Sequence, residues 1–144
     1  MKASILEFWV AGCIVTKHDL GRSKHVGLRR FREHFGTTPN ICEIVWNLLD
    51  DQELHPHGAL PIHLLCALLF LKLYESEHIN RSLTGFDEKT FRKWQWLYVD
   101  LMAHKLHMVS LDNKSEDLLS YLYRLFSLVT IVCVSNILTE DKIQ

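Results

Sequence analysis

The residues best equipped for chemistry stand just after a turn signal. In Gly85-Phe86-Asp87-Glu88-Lys89-Thr90-Phe91-Arg92-Lys93-Trp94-Gln95-Trp96, glycine suits a left-handed turn and Asp87 suits a helix N-cap, its carboxylate facing the Thr90 N–H. Lys89, Arg92, Lys93 and Gln95 would follow on the outer side of the new helix. Arg, Lys and Gln side chains donate hydrogen bonds to base edges and phosphates, so this pattern fits contact with DNA by the start of a helix. A second basic group lies upstream. Lys17 to His34 carries six Lys or Arg against Asp19 and Glu33, and Arg29, Arg30 and Arg32 could neutralise phosphates from a helix closing at Gly36. The plainer reading of both runs is a solvated helix face.

Other clusters carry less. His55, His57, His63 and Cys66 are ligand types that zinc accepts, but their spacing matches no standard zinc site, and His104 and His107 are a weaker version of the idea. Asp50 and Asp51 are adjacent, so on a helix they diverge. Cys13, Cys42, Cys66 and Cys133 are widely separated without a CxxC, which points to reduced thiols in an intracellular protein. No catalytic residues, cofactor or metal are expected.

Elements able to position the basic residues can be read from pattern. At 144 residues, 48% hydrophobic and 23% charged, the chain suits a soluble globular domain, and a net charge of −1 supplies no global pull toward nucleic acid. Phe8 to Val15 begins an apolar N-terminal helix or strand; Val10-Ala11-Gly12-Cys13 imitates a lipoprotein box, but the run before the cysteine is too short and holds Glu7. Thr38-Pro39 opens a helix whose apolar face is expected at Ile41, Ile44, Val45, Leu48 and Leu49. Leu64 to Leu71 is apolar throughout, the mark of a central core helix, and is too short to span a bilayer. Ile79 and Leu83 suggest a short helix before the Gly85 turn. After it, Phe91, Trp94, Tyr98 and Leu101 form the expected inward stripe, supported by Leu97 and Met102, leaving Gln95 and Trp96 outside. The expected fold is all-α: a small helical bundle containing a helix-turn-helix-like unit, with an extra C-terminal apolar helix.

Three pieces resemble a known family in order and spacing. RRFREHFGTTPNICEIVWNLL, HLLCALLFLKLYESEHI and GFDEKTFRKWQWLYVDLMA are similar to the N-terminal helical region of Harbinger-type DDE transposases and their domesticated relatives, over about Arg30 to Ala103. The resemblance implies a helix-turn-helix-like region ahead of a metal-dependent nuclease domain. This sequence departs from the family after His107, where no acid-bearing VDGTD-like strand follows. The expectation is therefore a truncated or reused, non-enzymatic DNA-binding module. Its contacts would be Lys89, Thr90, Arg92, Lys93, Gln95, Arg29, Arg30 and Arg32, and its location the nucleus or cytoplasm.

The expected organisation is an N-terminal segment (1–20), a helical domain (21–107) and a C-terminal apolar tail (108–144). Between Leu118 and Leu138 only Arg124 is charged. That length could cross a membrane, but Arg124 and the polar residues Ser120, Ser127, Ser135 and Asn136 favour a buried or partner-seeking segment, so a membrane is not the expected partner. The alternative function is protein–protein interaction, with another protein or a second copy, through the tail and an exposed Trp96.

Overall fold

The computed structural model describes residues 2–17, 24–73 and 84–104. The chain divides into two compact units, Met1–Tyr98 and Val99–Gln144. The described residues form five helices and no strand: α1 (Ile5–Thr16), α2 (Lys24–Phe35), α3 (Pro39–Asp51), α4 (Pro61–Leu73) and α5 (Glu88–His104). The fold is a small all-α bundle. The short helix expected around Ile79 and the apolar tail lie outside the described residues.

Local sequence starts and stops these helices. Ser4 Oγ accepts the Glu7 N–H at 3.2 Å and Glu7 Oε2 accepts the Ser4 N–H at 3.3 Å, a capping box at the start of α1. Glu7, which breaks the apolar character of the sequence ahead of Phe8, is thus the residue that completes the cap of the helix. Gly36, at φ +73°, ends α2, and its N–H donates to the Arg32 carbonyl at 2.8 Å. Thr38 Oγ1 accepts the Ile41 N–H, with Pro39 at the first helical position of α3.

Helix α1 packs against α2, α3 and α4, and α2 packs against α4. Two glycines set how closely α1 and α2 approach. A Cβ on Gly12 of α1 would lie 2.5 Å from the Phe31 ring of α2, and a Cβ on Gly27 of α2 would lie 2.5 Å from the Trp9 ring of α1. Each helix therefore presses an aromatic ring into the notch of the other. The start of the chain is tied to α3 by the Asn47 amide, which accepts from the Ala3 N–H and donates to the Ala3 carbonyl, while the Lys2 ammonium pairs with Asp51.

Helix α4 is the core element its composition requires: Leu64, Leu65, Cys66, Ala67, Leu68 and Leu69 are all buried. Helix α3 differs from the expected register. Its buried residues are Pro39, Cys42, Val45, Trp46 and Leu49, whereas Ile41, Ile44 and Leu48 are half-buried. The inward face is turned by about a quarter of a turn toward Trp46, whose large apolar surface outweighs three aliphatic chains in fixing the rotation.

Candidate nucleic-acid interface

The start of α5 is built as its residues dictate. Gly85 takes φ +77°, Thr84 Oγ1 accepts the Phe86 N–H at 3.3 Å, and Asp87 Oδ1 accepts the Thr90 N–H at 2.6 Å. The Asp87 carboxylate sits where the helix's free N–H groups and positive dipole end favour an anion. Behind that cap, Lys89, Arg92 and Lys93 are exposed at i, i+3 and i+4, on one face. The Lys93 ammonium stands 5.0 Å from the centre of the Trp94 ring, a cation–π contact that ties the base of this face to the core. Thr90 is half-buried, with its N–H taken by the cap.

Gln95 is a correction. It is only 5% exposed and cannot lie on the outer face. The buried stripe of α5 is Phe91, Trp94, Gln95, Tyr98, Val99 and Met102, which follows i, i+3, i+4, i+7, i+8 and i+11. The stripe expected through Leu97 and Leu101 is rotated toward Gln95 and Val99, and Leu97 and Leu101 are half-buried. Burying Phe91, Met102 and Val99, which flank Gln95 on the helix wheel, carries it into the core. Trp96 is likewise not a free surface ring. It is half-buried, with its centre 5.6 Å from that of Phe70 on α4.

Two of the histidines weighed as zinc ligand types, His55 and His63, instead dock α5. His55 stacks on Trp46 with ring centres 3.8 Å apart. Its Nε2 lies 2.9 Å from the Trp46 carbonyl and its Nδ1 lies 3.0 Å from Tyr98 Oη. A carbonyl can only accept, so Nε2 carries the proton and Nδ1 accepts from the tyrosine hydroxyl. Burial lowers the pKa of His55 and raises that of Tyr98, which holds both groups neutral as this pairing needs. His63 lies flat on Trp94, 3.8 Å between centres and 2° between planes, and its Nδ1 accepts the Leu60 N–H at 2.9 Å. Burial and the nearby Lys93 charge push its pKa down to about 4. Cys66 is buried in α4 and its thiol is pushed up to about 12 by that burial, while His57 is exposed. Among the described residues, no three His, Cys, Asp or Glu side chains gather into a metal site. Among the described residues Cys13, Cys42 and Cys66 form no disulfide.

The upstream arginines divide. Arg29 and Arg32 are exposed, while Arg30 is half-buried. His25, Leu28, Arg29, Arg32 and Glu33 repeat at i, i+3, i+4, i+7 and i+8, a full face of α2, and with Lys72 of α4 they line a cleft of about 540 Å³. Arg29 Nε is 4.0 Å from Glu33 Oε1. Lys72 and His25 were not expected in any site. The spacing of His25 to Arg32 was readable in the sequence, but the approach of Lys72 from α4 was not.

A second concavity is apolar. Leu6, Val10 and Ile14 of α1, with Trp46, Leu60 and Ile62, line a groove of about 630 Å³, and Leu6, Ile14 and Leu60 are more than half exposed. No described helix is long and apolar enough to cross a membrane.

Searches with protein-family models, against curated proteins and against solved structures find no match to this chain. The similarity to Harbinger-type transposases therefore stands on the sequence motifs alone.

Proposed function

We propose that this chain is a non-catalytic DNA-binding module, derived from the N-terminal helical region of a Harbinger-type transposase and acting in the nucleus or cytoplasm. The observation that carries the reading is the start of α5. A capped helix end presents Lys89, Arg92 and Lys93 on one exposed face, held rigidly from below by the Trp94–His63 stack. A helix of this kind can enter a major groove with its first turns, where Arg and Lys donate to phosphates and to guanine edges. Arg29 and Arg32 on α2 add phosphate-binding charge, and Arg30 contributes less because it is half-buried. Fluorescence anisotropy with a labelled duplex at low and moderate salt tests the reading. Binding that weakens steeply with salt, and is lost in an Arg92→Glu, Lys93→Glu double variant, is the expected outcome. No binding at low salt, or equal binding by the variant, refutes it.

The apolar groove beside α1 favours a second reading, a protein-interaction surface. Exposed Leu6, Ile14 and Leu60 around one concavity are unusual for a surface that meets only water. Sedimentation separates the two readings: self-association weakened by Leu6→Lys and indifferent to duplex DNA supports interaction as the primary role.

A further inference from the structure

The cleft between α2 and α4 gathers Arg29, Arg32 and Lys72, with His25 at its wall, against the single carboxylate of Glu33. Glu33 is already paired with Arg29, and among the described residues no carboxylate pairs with Arg32 or Lys72. Two exposed cations thus face one concave space whose remaining wall is the half-buried Leu28. Like charges converging there repel one another, and a low-dielectric wall concentrates their field, so an anion entering the cleft gains from both.

The plainer role for these cations is to offset the negative end of α2, which closes at Phe35. That role accounts for Arg32 in the last turn. It does not account for Arg29 or His25, which lie in earlier turns on the same face, nor for a lysine brought over from another helix. The position of Lys72 is itself supported. Its aliphatic stem runs over Gly36, where a Cβ would stand 3.4 Å from Lys72 Cδ, and the φ of +73° at Gly36 keeps that residue a glycine.

We infer that the α2–α4 cleft is a phosphate-binding site, in which the Arg32 guanidinium takes two oxygens of a phosphoryl group and the Lys72 ammonium the opposite side. A planar fork and a point charge are the usual complementary pair for that group. The site does not depend on the DNA reading, which supplies one of two sources for the phosphate: a nucleic-acid backbone or a free phosphate.

Inorganic phosphate is titrated into the full chain at constant ionic strength, and the backbone amide resonances of His25 and Gly36 are followed, with chloride as control. A saturable response to phosphate alone is expected, weakened at least fivefold in Arg32→Gln and in Lys72→Gln and retained in Lys72→Arg. A duplex arm then identifies the source. If Lys72→Gln also flattens the dependence of log affinity on log salt, by roughly 0.9 for one lost phosphate contact, the backbone is the source. If duplex binding is unchanged, or the wild-type chain binds no duplex, a phosphate response still upholds the site with free phosphate as its ligand. In the second case only the DNA reading fails. No saturable phosphate response, or one as strong in both Gln variants as in the wild-type chain, overturns the site whatever the duplex does.

Discussion

Gln95 shows how one residue type carries two meanings. Its amide suits an adenine edge, yet it sits 5% exposed on the helix face of Phe91, Val99 and Met102, and among the described residues its side chain has no hydrogen-bond partner. A buried amide without a partner costs about 1–3 kcal/mol. Gln95→Met, similar in shape and apolar, is expected to raise stability by about 1 kcal/mol in urea unfolding and to leave duplex affinity unchanged. A loss of affinity without a loss of stability would return Gln95 to the binding face. His63 has a parallel lesson. Its pKa is depressed to about 4, below the value of about 6.5 in an unfolded chain, so between those values the unfolded state binds the extra proton. Stability contributed by neutral His63 is therefore complete above about pH 6.5 and is lost as pH falls toward 4. His63→Phe keeps a ring on Trp94 and removes the titration. Its urea midpoint should change less between pH 7 and pH 5 than that of the wild type, with His55, also depressed, accounting for the slope that is left.

At the scale of the element, caps and notches decide what the helices can do. Asp87 holds the first turn of α5 through the Thr90 N–H, and Asp87→Ala should cost about 1 kcal/mol, the usual worth of such a cap, read as a shift of the urea midpoint. It should weaken duplex binding only modestly, because Lys89, Arg92 and Lys93 are left in place. The α1–α2 crossing is less forgiving. Alanine at Gly12 would gain about 1 kcal/mol of helix propensity but would drive a methyl group to 2.5 Å from the Phe31 ring. Overpacking of that kind costs about 1–3 kcal/mol, so Gly12→Ala is expected to be net destabilising by up to about 2 kcal/mol. A thermal melt that rises instead would show that Phe31 can swing aside. These helices were legible in outline: Thr38-Pro39, Phe35-Gly36 and Gly85-Phe86-Asp87 each mark a boundary by local chemistry, whereas the Ser4-x-x-Glu7 capping box is hidden in the sequence, where Glu7 reads only as a break in the apolar run. The rotation of α3 and α5 about their axes was not legible, because it depends on which faces the neighbouring helices leave for Trp46, Trp94 and Tyr98.

For the molecule as a whole, a net charge of −1 means that any affinity for nucleic acid comes from local faces. Among the described residues two basic faces are candidates, one on α5 and one in the α2–α4 cleft, and salt dependence would separate their contributions to duplex binding. Neutralising Lys89 and Lys93 together should lower the salt slope of duplex binding by roughly 2, if each meets one phosphate. An unchanged slope would take α5 out of the interface.

What the sequence alone determined is the part governed by neighbours along the chain. It specified an all-α fold with the N-terminal element left open between helix and strand, most of the helix ends from Gly36 onward, a core helix from Leu64 to Leu71, and a capped basic start to α5. Those follow from short-range hydrogen bonds and from the period of apolar residues. Tertiary structure decided the rest: that Gln95 and His63 are inside, that Arg30 is half-buried while Arg29 and Arg32 face a cleft, and that Lys72 arrives there from another helix. Those outcomes depend on close packing between helices distant in sequence, where the largest rings claim the interior and set the direction of every other side chain.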